Sequence, residues 1–352
     1  MPARLLLGTL FDQDITYLNG KEIGHTYYQY PPRRYDIPEG LLREGDNVIA
    51  VRFINKYGSV HFIPEKPYLL AFGDNRCSQN PMPQDVIPLS DHWKMRVGAE
   101  MPNCPSADVS LQNLPTTLYN AVLHPLAPYA LSGVVWYQGE SNTGNPAPYA
   151  DLLRKLMGCW RNRWQDSQLP FCIVQLANYD GRQQTGFPQP IMPQDNPVNS
   201  NWARLRETQR QVAQSDPYAE LAVINDLGET VDIHPLRKKE VAERIGLCFD
   251  RLVFHNNKVK LSPKIVSVDV NGNAIQLTLD QPIQEGELFT FEVADEGNSM
   301  HNVSAVGKGN VITLHNFAFK PTAVRYGWKD NPLKANVRSL AGLPMSSFEL
   351  TF

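Results

Sequence analysis

The chain has 352 residues, 42% of them hydrophobic and 20% charged, with a formal net charge of −3. That length can bury a substantial core and suggests two or three domains. The balanced charge, with no run of Lys or Arg, gives no electrostatic footprint for nucleic acid or an anionic membrane surface. Five cysteines without C-x-x-C spacing argue against a zinc cage. The opening MPARLLLGTLFDQD has one basic residue and a leucine run too short for a signal peptide or a membrane anchor.

In chain order, residues 1–95 read as β structure. ITYLNGKEIG places two strand-like runs around Asn19-Gly20, a strong hairpin signal. RRYDIPEGLLREGDNVIAVRF adds a turn at Gly45-Asp46-Asn47 and alternation through Val48, Ala50 and Arg52, so a β-sandwich segment is expected. Within HTYYQYPPRRY, Tyr27, Tyr28, Tyr30 and Tyr35 fit a packed aromatic face better than a sugar-stacking surface.

The pattern changes over 96–258. PYADLLRKLMGCWRNRW puts Tyr149, Leu152, Leu153, Leu156, Met157, Trp160 and Trp164 on one helical face, with Pro148 near the start. LPFCIVQLANY reads as a buried strand, NWARLRETQRQVAQ as a helix and AELAVIND as a strand. LRKKEVAERIGLCFDRLVF reads as a helix with Val241, Ile245, Cys248 and Leu252 inward. Strands alternating with helices predict a parallel sheet covered on both faces. Over 259–352, KIVSVDV, AIQLTLD, LFTFEVA and VITLHNF, separated by Gly and Asn turns, predict an antiparallel β domain.

Ligands of open parallel sheets bind beyond the carboxyl ends of the strands, and two polar clusters fall there. The first is GVVWYQGESN, an apolar run that stops at Gln138, Gly139, Glu140, Ser141 and Asn142. The second is NDLGETVDIHP, which carries Asp226, Glu229, Asp232 and His234 ahead of a helix. Ester hydrolysis uses an imidazole to take a hydroxyl proton and a carboxylate to orient that imidazole. His234 with Asp232 or Asp226 has the required chemistry, although Asp232 also suits a helix cap. Gln138 and Asn142 could donate to an oxyanion or satisfy their own turn, and Glu140 is either a bracing carboxylate or a solvated one. The other histidines (25, 61, 92, 124, 255, 301 and 315) lack a partner at catalytic spacing and read as structural.

GVVWYQGESN together with DLGETVDIHPLRKKEVAERIG resembles the sialate O-acetylesterase family, carbohydrate esterases of the SGNH-hydrolase type. The segments LPTTLYNAVLHPLAPYALSG, WARLRETQ and RYGWKDNP…GLPMSSF support the resemblance, and the residues around YLNGKEIG resemble a galactose-binding-like sandwich inserted in such enzymes. The resemblance implies an α/β, SGNH-hydrolase-like (flavodoxin-like) three-layer parallel sheet, with a β-sandwich segment before it and an antiparallel β domain after it. It implies His234 as general base, with Asp232 as the nearer carboxylate and Asp226 as the alternative. Gln138, Gly139, Glu140 and Asn142 then form the oxyanion or substrate-binding block. The implied substrate is an O-acetylated sugar, sialic acid or a polysaccharide ester. No metal or organic cofactor is implied, and the location is secreted, periplasmic or lysosomal.

The family's nucleophilic serine lies in an early G-Q-S-N-M block that this sequence does not contain. The nearest string, CSQN at 77–80, follows the sandwich-like segment. The expectation is therefore a sheet incomplete at its N-terminus, with a missing segment or a second chain completing the site. Two alternatives stand beside it. One is Ser141 as nucleophile in a loose imitation of a G-x-S-x-G elbow, with Thr143 where the second Gly belongs. The other is an inactive carbohydrate-binding or scaffold fragment. Asn302-Val303-Ser304 is a glycosylation sequon.

Overall fold

A computed structural model of the chain describes residues 2–10, 12–55, 62–63, 66–73, 86–89, 92–102, 111, 114–180, 200–230 and 232–352. Described residues up to 102 form one compact unit, and those from 111 onward form another. CSQN, His61, Cys77 and Cys104 lie outside the described residues.

The first unit is antiparallel throughout. Strands β1 (Ala3–Leu7), β2 (Gln13–Leu18), β3 (Lys21–Thr26), β4 (Arg34–Ile37), β5 (Ile49–Ile54), β6 (Tyr68–Phe72) and β7 (Val86–Pro88) make two sheets, β4-β1-β6-β7 and β3-β2-β5. Both contribute to one core around Leu5, Leu7, Leu18, Tyr35 and Leu70. The Asn19-Gly20 hairpin forms between β2 and β3, with φ of 50° and 82° at the two turn residues, the left-handed geometry of a type I′ turn. Asp14 and Thr16 occupy the buried face of β2 because a polar cluster satisfies them. Asp14 accepts from Arg33 Nε (2.7 Å), Tyr35 Oη (2.8 Å) and Thr16 Oγ1 (2.8 Å). The aromatic reading divides here: Tyr35 is buried, whereas Tyr27, Tyr28 and Tyr30 are exposed.

The second unit contains β8 (Val134–Trp136), α1 (Tyr149–Trp164), β9 (Phe171–Val174), α2 (Asn201–Ser215), β10 (Ala219–Ala222) and α3 (Lys238–Leu252). The strands form a parallel sheet in the order β10-β9-β8. Alternation in β9 sends Phe171 and Ile173 into a core with Leu153 and Met157 of α1 and Leu205 and Val212 of α2. Cys172 and Val174 go to the opposite core with Val241 and Cys248 of α3. Helices on both faces make three layers, which explains strands apolar on both sides. In α1, Tyr149, Leu153 and Met157 are buried, but Leu152, expected inward, is exposed.

The same unit continues through β11 (Ile265–Asn271), β12 (Ala274–Leu279), β13 (Gly286–Leu288), β14 (Phe291–Ala294), β15 (Met300–Asn302), β16 (Ser304–Lys308), β17 (Val311–His315), β18 (Ala323–Tyr326) and β19 (Phe348–Thr351). Two antiparallel sheets, β11-β12-β17-β16-β13 and β15-β14-β18-β19, enclose their own core around Leu277, Phe291, Ile312, Val324 and Phe348. The sequence boundary at 258/259 thus falls inside one compact unit that holds separate cores. Among the described residues no helix is long and apolar enough to cross a membrane.

Candidate active site

Because β8, β9 and β10 run parallel, their carboxyl ends share one rim. The loops leaving them, 137–142, 175–180 and 223–234, carry both polar clusters. Tyr137 and Lys238 join the outer two loops: Lys238 Nζ lies 3.2 Å from the Tyr137 hydroxyl and 4.7 Å from the ring centroid. Burial, with the negative charge of Glu140 adding to it, pushes the Tyr137 phenol up to about 12, so it is neutral and available as a donor.

The 137–142 loop is held from two helices. The Gln138 carbonyl accepts from Tyr149 Oη of α1 (2.9 Å) and from Gln209 Nε2 of α2 (3.1 Å), while Gln209 Oε1 accepts the Leu176 N–H (2.9 Å). Gly139 is buried with φ of 155°, and a Cβ there would stand 2.8 Å from Leu205 Cδ2. The position therefore requires glycine twice over, for conformation and for space. Gln138 Nε2 donates to Asn142 Oδ1 (2.8 Å), which leaves the Asn142 amide N–H groups for another acceptor. Glu140 is half-buried, and its carbonyl accepts from Thr143 Oγ1 and N–H. Ser141 is exposed on the 3₁₀ turn 140–142, and α1 starts only at Tyr149.

In the other cluster, the buried Asp232 accepts the His234 backbone N–H at Oδ1 (2.8 Å), and the same oxygen lies 3.6 Å from His234 Nδ1. The His234 side chain is 44% exposed, with its Nδ1 on the side of the carboxylate. Asp226 is placed differently. Its oxygens take Arg244 Nη1 (2.5 Å) and Nη2 (3.0 Å) and Arg338 Nη1 (2.8 Å). Burial raises its carboxyl, but the two guanidiniums outweigh burial and hold it below the usual carboxylate range. The Asp226 side chain joins the helix α3 and the C-terminal β domain, while Asp232 lies beside the imidazole. Glu229 Oε1 accepts the Leu236 N–H (2.8 Å) and shapes the turn into α3.

Several rim residues carried no signal that sequence reasoning used. Arg206 is fully buried and donates to the carbonyls of Leu176 (3.0 Å), Ala177 (2.9 Å), Lys329 (2.8 Å) and Asp330 (2.7 Å). Asn178 and Asn331 bond each other at 2.9 Å. The signal for Arg206 and Gln209 was present: both fall on the helical period of Trp202, Leu205, Val212 and Ala213, a stripe otherwise apolar. Two histidines read as partnerless have carboxylates at hand, His25 with Glu22 (2.9 Å) and His301 with Asp295 (2.8 Å). Both pairs are surface pairs within one short stretch of chain. Among the described residues no cluster of three or more His, Cys, Asp or Glu could hold a metal.

Comparison with known proteins places this rim in context. Residues 109–217 match a family model described as carbohydrate esterase, sialic acid-specific acetylesterase. The sialate O-acetylesterase of Mus musculus is 29% identical over 253 residues, 65% of this chain and 45% of that protein. That of Homo sapiens is 26% identical over 244 residues, 62% of this chain and 44% of that protein. A carbohydrate acetylesterase from Xanthomonas citri, known from its crystal structure, is similar with a TM-score of 0.60 and 33% identity, covering 67% of this chain and 54% of that one. The chain spans about half the length of the relatives it matches.

Proposed function

The chain belongs to the sialate O-acetylesterase family of carbohydrate esterases, and from that membership we propose that it supplies the histidine-bearing wall of a serine-dependent sugar O-acetylesterase. Its α/β part is SGNH-like and is followed by an antiparallel β domain. By family resemblance it is a carboxylic ester hydrolase. In this reading His234 takes the proton of the attacking hydroxyl, and Asp232 orients the imidazole and offsets its positive charge. Asn142 and the Gln138–Gly139 turn stabilise the oxyanion, with Glu140 bracing the loop. The substrates are acetyl esters on sugars, sialic acid among them, met in a secreted, periplasmic or lysosomal setting.

The observation that carries this reading is the Asp232–His234 contact at the same rim as the Gln138 loop, with Lys238 and Tyr137 closing the distance between the two loops. Asp226 is the weaker partner because its two oxygens already take three bonds from Arg244 and Arg338.

The attacking serine comes from a polypeptide segment outside these 352 residues, since no G-Q-S-N-M block occurs in them. Support comes from β8. It pairs with β9 on one edge, and no strand pairs with its other edge among the described residues. Val135 is 44% exposed there, and the helical turns at 119–126 bury none of their residues. An open parallel edge and exposed apolar side chains are what further chain would cover. The test is incubation of the purified chain with an aryl acetate. Turnover by the chain alone that Ser141→Ala abolishes refutes an external serine, and absence of turnover agrees with it. A second reading, a carbohydrate-binding module, is favoured by the exposed Tyr27 and Tyr28. Glycan binding that Tyr27→Ala abolishes, with no hydrolysis even after a serine-bearing segment is supplied, is its signature.

A further inference from the structure

We propose that the 328–331 turn of the C-terminal β domain positions the histidine loop, and that Asn331 is the positioning residue through which it acts. This rests on the reading of His234 as the base. The RYGWKDNP stretch leaves its own domain's core after Tyr326 and reaches the rim of the parallel sheet with Lys329, Asp330 and Asn331. Arg206 fixes it there through the Lys329 and Asp330 carbonyls, and the Asp330 carboxylate takes the Ser200 hydroxyl at 2.5 Å. Asn331 then faces two loops together. Its Oδ1 accepts from Asn178 Nδ2 (2.9 Å), at the exit of β9, and its Nδ2 donates to Thr230 Oγ1 (3.1 Å), in the loop that leads to Asp232.

The orientation of both amides follows from one backbone donor. The Gly228 N–H points at Asn178, so the atom it meets must be Oδ1 (2.7 Å). Asn178 therefore presents Nδ2 to Asn331, which must answer with Oδ1 and so present its own Nδ2 to Thr230. A Cβ on Gly228 would lie 2.0 Å from the Asn178 carbonyl oxygen, so the two loops are in backbone contact. The Asp180 N–H donates to the Thr230 carbonyl at 2.7 Å, which closes the lattice. Thr230 is thereby held two positions before Asp232, whose Oδ1 caps the His234 N–H. The C-terminal domain thus sets where the imidazole stands through Asn331 and Thr230.

Amide hydrogen exchange over 228–234, read alongside the NMR titration of His234 and the global Tm, tests this in Asn331→Ala, Asn331→Asp and Leu333→Ala. Leu333 lies two residues beyond this turn with its side chain exposed. Asn331→Ala is expected to raise exchange over 228–234 by about tenfold, the loss of one to two buried hydrogen bonds, and to move the His234 titration. Asn331→Asp should restore most of the protection, because it keeps the acceptor for Asn178 and the Thr230 hydroxyl can rotate to donate. Leu333→Ala should change neither. Exchange in Asn331→Ala within about twofold of the parent, or a lowered Tm with 228–234 and His234 unmoved, overturns the proposal. In an esterase-competent preparation Asn331→Ala should lower kcat with KM unchanged. If no preparation turns over acetyl esters, the esterase reading fails while the exchange result still decides the positioning role.

Discussion

Replacing Arg206 by methionine removes the bolt between the parallel sheet and the C-terminal β domain. The guanidinium is fully buried, and its N–H groups meet four carbonyl oxygens between 2.7 and 3.0 Å. Burial, opposed by the Asp330 charge, pushes Arg206 down to about 9, so it stays charged at neutral pH. Methionine leaves the Leu176 and Lys329 carbonyls facing an apolar side chain, at about 1–3 kcal/mol each, while the Ala177 carbonyl keeps Trp202 Nε1 and the Asp330 carbonyl keeps the Tyr179 N–H. Removing one member of a buried charged network is expected to cost about 3 kcal/mol, which lowers Tm by about 6–12 °C for a unit of this size. Thermal unfolding followed by near-UV circular dichroism measures the loss. Amide exchange over 175–180 and 328–331 shows whether those segments release first. A Tm equal to or above the parent's would mean that Arg206 is an expensive tolerance rather than a bolt.

Asp226→Asn should cost about 2 kcal/mol at pH 7 by weakening the Arg244 and Arg338 contacts. Because the folded carboxyl titrates below its unfolded value, its contribution is complete above about pH 4 and disappears as pH falls through the depressed value. Urea midpoints of parent and variant should accordingly converge as pH falls below about 4; a gap independent of pH contradicts the assignment. Gly139→Ala meets Leu205 and a positive φ, and should destabilise the unit by about 2 kcal/mol, measurable by urea unfolding. An unchanged midpoint would show that the 137–142 loop yields freely. Ser200→Ala removes the N-cap of α2, where the hydroxyl accepts the Ala203 N–H at 2.9 Å, and also the bond to Asp330. About 1–2 kcal/mol is expected, again read as a urea midpoint.

Local pattern carried much of the fold. The Asn19-Gly20 dipeptide marked its hairpin, Pro148 marked the start of α1, and alternating apolar runs marked β12 and β17. These signals are complete within a few residues. Where a decision depended on distant chain, pattern failed. The bonds that occupy Asp226 come from arginines 18 and 112 positions away, which no spacing rule reveals. Leu152 fits the helical stripe but is exposed, outside the buried line of Tyr149, Leu153 and Met157. Asp14 breaks the apolar alternation of β2 because Arg33, 19 positions on, is folded back onto it. At the rim, the D-x-H spacing already implied that carboxylate and imidazole share one turn. That spacing did not show how Asn178, Arg206 and Asn331 fix the turn in place, because those contacts cross more than a hundred residues.

Acetate release from an O-acetylated sialic acid tests the central claim most directly. It would be measured for this chain combined with a polypeptide carrying a G-Q-S-N block, in parent and His234→Ala forms. Release that needs both polypeptides and is lost in His234→Ala is the predicted result. Release that survives His234→Ala would contradict the account, as would release by this chain alone that depends on Ser141.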